Sequence, residues 1–233
     1  MTGLLISFDG IDSSGKATQA YHLAQRLSAA GLDVSQLQSP DYSTATGQQL
    51  KQLLQSSSPA MSWTEKMQLF AANRAEHRAS VKTALRQGGI VIYDRYVASS
   101  VAFITVEATT PQDVASQRAH IQAHVARQEY EVNRMPHEAA SVFLDVPPAV
   151  TMSLLEKRKT ERADNNEYTD HRILQERLYN EYDILCRTQP ERFVRIPCVS
   201  GTQLFSADEI SELVWAALRQ RLPRLAAHHA RTA

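Results

Sequence analysis

One seven-residue stretch constrains this chain more than any other. Gly10-Ile11-Asp12-Ser13-Ser14-Gly15-Lys16 matches the spacing G-x-x-x-x-G-K and stands between two segments of opposite character. Before it, Leu4-Leu5-Ile6-Ser7-Phe8 is a short apolar run halted at Asp9-Gly10, the pattern of a buried strand entering a turn. After it, Ala17, Ala20, Leu23, Ala24 and Leu27 fall at helical spacing between Lys16 and Ala30, and Gly31 closes the helix. Glycines let such a loop curl so that successive backbone N–H groups point at an anion. The following helix adds its positive end, and a lysine ammonium supplies a point charge. The stretch therefore predicts a cradle for nucleotide phosphates, with Lys16 on the β- and γ-phosphates. One position departs from the pattern: the usual Ser/Thr after the lysine, a magnesium ligand, is Ala17, with Thr18 one residue later. Asp94 and Asp12 are then the candidates for holding a metal.

Further short apolar runs follow at Val34–Leu37, Ile90–Tyr93, Ser141–Asp145 and Phe193–Ile196. Between them the pattern predicts helices over Trp63–Arg86 (with a break), Pro111–Asn133, Pro148–Arg158 and Thr169–Thr188. A last helix, Ser206–Arg221, has Ser206 as its cap and Glu209 three places on. Strands alternating with helices predict an α/β fold, a doubly wound five-stranded parallel sheet flanked by helices. The reading is one domain over residues 1–225, with a disordered tail over 226–233. In such sheets ligands bind beyond the carboxyl ends of the strands, where Asp9-Gly10, Ser39-Pro40, Asp94-Arg95 and Asp145 all fall.

Composition excludes several classes of function. The 233 residues carry 25 basic and 25 acidic side chains, so no global field steers the chain onto nucleic acid or an anionic membrane. An anionic ligand must be gripped by a local cluster of basic groups. The two cysteines, Cys186 and Cys198, complete neither a disulfide framework nor a zinc site, and a reduced, cytoplasmic protein is expected. The N-terminus lacks a basic leader, and no apolar run is long enough for a membrane span.

Asp94-Arg95-Tyr96 ends the third run, where an aspartate reaches a magnesium shell and an arginine binds phosphate bidentately. Taken together, Phe8 through Gln19, Leu69-Phe70-Ala71-Ala72-Asn73-Arg74, Asp94 through Phe103 and Leu144-Asp145-Val146-Pro147 resemble the motifs of the thymidylate kinases, in that family's order and spacing. The resemblance implies ATP and Mg²⁺ as cofactors, dTMP as acceptor, and a homodimer. It assigns the ATP phosphates to Gly10 and to Asp12, Ser13, Ser14, Gly15, Lys16, Ala17 and Thr18. It places Asp12 near the acceptor's sugar, Phe70 on the pyrimidine face, Arg74 on its carbonyl edge and Arg95 on the acceptor phosphate. Asp94 would serve the metal through water, and Ser99, Ser100 and Phe103 would shape the base pocket. Residues 156–168 resemble a mobile lid, whose Arg158 or Arg162 would stabilise the transferring group and whose Tyr168 would touch the acceptor. Two positions depart from the family: Tyr42 stands where an arginine usually holds the acceptor phosphate, and Ile104 replaces a polar residue.

The chemistry implied is direct in-line phosphoryl transfer, resting on positioning and charge neutralisation rather than on a nucleophilic side chain. Kinases for another pyrimidine nucleotide or a deoxynucleoside, and a non-catalytic nucleotide-binding relative, are the alternatives. The lack of an N-K-x-D guanine-reading motif argues against a switch GTPase.

Overall fold

A computed structural model describes residues 3–55, 61–161 and 172–225. Five strands form one parallel sheet: β1 (Leu4–Asp9), β2 (Val34–Gln38), β3 (Ile90–Asp94), β4 (Ala140–Asp145) and β5 (Phe193–Pro197), in the order β2-β3-β1-β4-β5. β1 lies at the centre, with Phe8 opposite Asp94 on one side and Val142 on the other. The helices are α1 (Lys16–Ala29), α2 (Ala45–Gln55), α3 (Trp63–Glu76), α4 (Arg78–Arg86), α5 (Val97–Ala108), α6 (Val114–Ala126), α7 (Pro148–Glu161), α8 (Arg172–Thr188) and α9 (Ala207–Arg221). Two short strands, β6 (Val199–Ser200) and β7 (Gln203–Leu204), pair antiparallel after β5.

The strands are apolar throughout because each feeds two cores. Leu5, Val91, Tyr93 and Phe143 point to one face, where α5, α6 and α8 pack over them. Their neighbours Ile6, Phe8, Ile90, Ile92, Val142 and Leu144 point to the other, under α1 and α9. Period-two alternation sends adjacent residues to opposite faces, and helices on both faces demand apolar side chains at every position. The expected doubly wound sheet is the sheet observed.

The break expected within Trp63–Arg86 falls at His77, between α3 and α4. Other elements differ from the expected ones. The Pro111–Asn133 segment is α6 followed by a π-helical turn, Arg127–Val132. Helix α5 has no counterpart in the periodicity, because Val97, Ala98, Ser100, Val101, Ala102, Ile104, Thr105 and Val106 are all buried and leave no polar face to mark it. Helix α2 was likewise unmarked.

Helix α9 begins as its sequence requires. Ser206 Oγ accepts the N–H of Glu209 at 3.2 Å, and a Glu209 carboxylate oxygen accepts the N–H of Ser206 at 2.8 Å. This capping box sets the helix that buries Ile210, Val214, Trp215 and Leu218 against the sheet. Ser206→Ala is expected to lower unfolding stability by about 1 kcal/mol, read as a fall in the urea midpoint at unchanged slope.

Candidate active site

The carboxyl ends of β1 and β3 converge on one cluster of charge. After Asp9 the chain turns at Gly10, whose φ of 143° suits glycine, and a Cβ there would meet Ser14 Oγ at 3.0 Å and the Leu144 carbonyl at 3.2 Å. Ser13 adopts a left-handed φ of 59°, and Gly15 caps α1 with no side-chain partner for its first N–H groups. Those donors remain available to an anion. The Lys16 ammonium is buried and donates to the Ile11 carbonyl at 2.7 Å and to Ser14 Oγ at 3.4 Å. Burial, with the nearby Arg95 charge, lowers its pKa from 10.5 to about 7, against the pull of Asp12, Asp94 and Asp9.

Arg95 faces this cradle from the end of β3. Its backbone is left-handed, with φ 64°, a conformation that costs a non-glycine residue roughly 1–3 kcal/mol and persists only where neighbours enforce it. The enforcing bonds are present: Arg95 N donates to the Phe8 carbonyl at 2.9 Å, and its guanidinium reaches the Gly10 carbonyl at 3.2 Å and the Asp12 carboxylate. Burial would raise the Asp12 pKa, yet Arg95 and Lys16 more than offset it and hold the carboxyl below its usual value. Burial raises the pKa of Asp94, with Lys16 and Arg95 opposing. The Asp94 Oδ1 is buried and accepts no hydrogen bond.

Two further residues secure the cradle. Asp9 is fully buried and accepts from Ser7 Oγ and Ser141 Oγ, each at 2.7 Å, from Ser99 Oγ at 2.6 Å and from the Tyr96 N–H at 3.3 Å. Gln175, buried on α8, donates to Asp12 Oδ2 and accepts the Asp12 N–H, both at 3.0 Å. Neither role was read from the sequence. The signal for Asp9 lay in Ser7 and Ser141, polar positions in apolar strands that lie opposite each other in the sheet.

A second group of the expected site residues lies between α3, α5 and the loop after β2. Phe70 meets Phe103 edge to face, with ring centroids 5.6 Å apart. Arg74 lies one turn on from Phe70; its guanidinium is buried against Ser39, Ser100 and Glu129. Asn73 shapes the loop by accepting the Asp41 N–H at 2.8 Å and donating to the Asp41 carbonyl at 3.1 Å and to Thr44 Oγ1 at 2.9 Å. Gly47 is required there, since a Cβ would lie 1.8 Å from the Asp41 carbonyl. Tyr42 is 40% exposed, and partial burial raises the pKa of its phenol, with Arg95 opposing and Asp12 adding to the rise.

The structure thus brings Asp12, Lys16, Asp94 and Arg95 together, with Phe70, Phe103, Arg74 and Ser100 grouped beside them. The Ser99 hydroxyl is turned to Asp9 and accepts from Tyr182 at 2.9 Å. Ile104 packs into the core. Arg158 belongs to the last turns of α7, whereas Arg162 and Tyr168 lie outside the described residues. Among the described residues no helix is long and apolar enough to cross a membrane, and no three His, Cys, Asp or Glu side chains are grouped to hold a metal.

The family model described as thymidylate kinase matches residues 8–207. The chain belongs to the thymidylate kinase family. A thymidylate kinase of Bifidobacterium longum (strain DJO10A) is 29% identical over 232 residues, covering 97% of this chain and 100% of the relative. That of Halothermothrix orenii is 38% identical over 104 residues, 44% of this chain and 50% of its own. In fold, the chain is similar to the thymidylate kinase of Candida albicans, with TM-score 0.70 and 23% identity over 94% of this chain and 92% of that one. The Ehrlichia chaffeensis enzyme gives TM-score 0.64 at 21% identity, over 94% and 100%.

The lowered Lys16 pKa has a signed consequence. Between about 7 and 10.5 the unfolded chain holds a proton that the folded, ligand-free chain has released. On this group's account stability rises with pH across that window. Phosphate oxygens beside Lys16 restore the charged form. Binding of a nucleoside triphosphate at pH 8 is therefore expected to take up a proton, measured by calorimetry in buffers of different ionisation enthalpy, and Lys16→Met is expected to abolish that uptake.

Proposed function

We propose that the chain transfers the terminal phosphoryl group of ATP to dTMP, giving ADP and dTDP. The observation that carries this reading is the meeting of Lys16, Asp94, Arg95 and Asp12 at the ends of β1 and β3. The aromatic pair and buried arginine beside them fit a pyrimidine.

The cradle N–H groups and Lys16 would hold the ATP phosphates. Arg95 would exchange its Asp12 contact for the phosphate of dTMP, to which its planar fork is matched. That phosphate is largely a dianion at neutral pH, its second pKa being about 6. No protein base is therefore needed to activate the attacking oxygen. The task left to the protein is to align the two phosphates and neutralise the charge on the transferring group. Asp94, through water, would hold a divalent ion, which would supply positive charge against the phosphates. The unpartnered Asp94 Oδ1 fits a water of the Mg²⁺ shell, and one or two carboxylates plus substrate phosphates suffice for this metal. Ala17 brings no hydroxyl, which leaves this duty to Asp94. Arg158 or Arg162, in a lid over 156–168, would complete the charge neutralisation and exclude water from ATP. We further place the enzyme in the cytoplasm as a homodimer on the route to dTTP.

The test is a coupled ADP-release assay with ATP, Mg²⁺ and a panel of dTMP, dUMP, dCMP and thymidine. Turnover favouring dTMP is expected, reduced about a thousandfold or more in Lys16→Ala and in Arg95→Ala. Phosphorylation of thymidine but not of dTMP, or turnover indifferent to Arg95, would sink the reading.

A further inference from the structure

The base end of the cleft holds a buried ion pair that the motifs do not account for. The side chains of Arg74 and Glu129 are 2% and 0% exposed. One Glu129 oxygen, Oε1, accepts from Arg74 Nε at 3.1 Å and from Nη2. Ser100 Oγ accepts from Nη2 at 2.6 Å, and Ser39 Oγ from Nη1 at 2.9 Å. A guanidinium carries five N–H donors. Four are committed here, and the fifth, on Nη1, is not. The other Glu129 oxygen, Oε2, is buried and accepts no hydrogen bond.

Glu129 reaches Arg74 from the π-helical turn, and that turn is pinned to the segment carrying Arg74. Asn133 Nδ2 donates to the Ala71 carbonyl, and Arg78 Nη1 donates to the Asn133 carbonyl, both at 2.9 Å. The Met135 N–H closes the turn on the Glu129 carbonyl at 2.9 Å. π-turns are uncommon in helices and concentrate at functional sites, since the widened turn re-aims a side chain.

We propose that Glu129 is a positioning residue for base recognition, locking Arg74 so that its one uncommitted N–H meets a carbonyl oxygen of a neutral pyrimidine. The inference rests on the kinase reading above and deepens it. Glu129 fixes the guanidinium in register with Ser39 and Ser100, so that one donor is left to be read. It also cancels the buried charge, which makes this end of the cleft suited to an uncharged ring rather than to a second anion.

The test compares steady-state kinetics of the full chain and of Glu129→Gln, which keeps the side chain's shape and an accepting oxygen but removes the charge. The KM for dTMP is expected to rise about tenfold, the effect of one misdirected charge-assisted hydrogen bond. The kcat should stay within about threefold and the KM for ATP should not move, a split that marks lost ground-state contact with one substrate. In an Arg74→Met background the same substitution should add no more than about twofold, because its action runs through Arg74. An unchanged KM for dTMP, or a full tenfold loss in the Arg74→Met background, would overturn the inference. Should Glu129→Gln fail to fold, Arg74→Met/Glu129→Leu, which removes both charges together, is compared with Arg74→Met alone. Equal KM values for dTMP support positioning through Arg74, and a further tenfold rise overturns it. An unsubstituted chain inert towards dTMP would sink the kinase reading, whereas an active chain indifferent to Glu129 would sink this inference alone.

Discussion

The active end of this molecule hangs on the Asp9 carboxylate. It sits at the last position of the central strand, inaccessible to water, and such a group is costly to bury unless its oxygens find donors. Four donors come from three separate parts of the chain: Ser7 on β1, Ser141 on β4, and Ser99 with the Tyr96 N–H after β3. Satisfying Asp9 therefore fixes where β3 hands over to α5. Arg95 stands between Asp94 and Tyr96, so the same bonds that anchor Tyr96 help to impose its left-handed backbone. Backbone strain at Arg95 is offset by a buried network on Asp9, the residue immediately before Gly10. Removing any one donor leaves a carboxylate oxygen short and relaxes the loop that aims Arg95.

The two ends of the cleft solve opposite electrostatic problems. At the phosphate end Lys16 and Arg95 crowd together, and burial with mutual repulsion drives Lys16 towards neutrality when no anion is present. Asp12 partly balances them and is itself held by Gln175 from α8. One carboxylate, Asp12, answers both Lys16 and Arg95, so positive potential is local even though the chain's net charge is zero. At the other end Arg74 gives two donors to Glu129 and two to serine hydroxyls, which leaves one N–H uncommitted. On the proposed reading one end would select for charge and the other for hydrogen-bond pattern, and a nucleoside monophosphate presents both.

How much of this was legible in the sequence follows from the range of each interaction. The cradle was legible because strand, glycines, lysine and helix are contiguous. The capping box at Ser206 and Glu209 was legible for the same reason, its two halves being three residues apart. The five strands showed because two-sided burial makes them continuous apolar runs. Helix α5 did not show, since burial on all sides erases the periodicity that marks an amphipathic helix. The roles of Asp9, Gln175 and Glu129 in holding site residues did not show because their partners lie far along the chain: Ser141 is 132 residues from Asp9, Asp12 163 from Gln175, and Arg74 55 from Glu129. A lone polar residue in an apolar stretch reports that something must satisfy it, but the partner is named only by the fold.

Arg74 illustrates the same limit in a sharper form. Its spacing from Arg78 places two like charges on one side of α3 and α4, which favours an anion between them. The anion is present, but it is protein rather than ligand: Glu129 takes Arg74, while Arg78 turns to the carbonyl of Asn133 on the same π-helical turn. Buried carboxylate and guanidinium together cost more desolvation than a pair of apolar side chains would, so the pair is poorly explained by stability alone. What it supplies is a guanidinium with one free donor and a fixed plane, at the place where the proposed reading puts the pyrimidine. A hydrophobic slot discriminates a missing methyl only weakly, whereas a site built of committed hydrogen bonds penalises any ring that leaves a buried donor unmet.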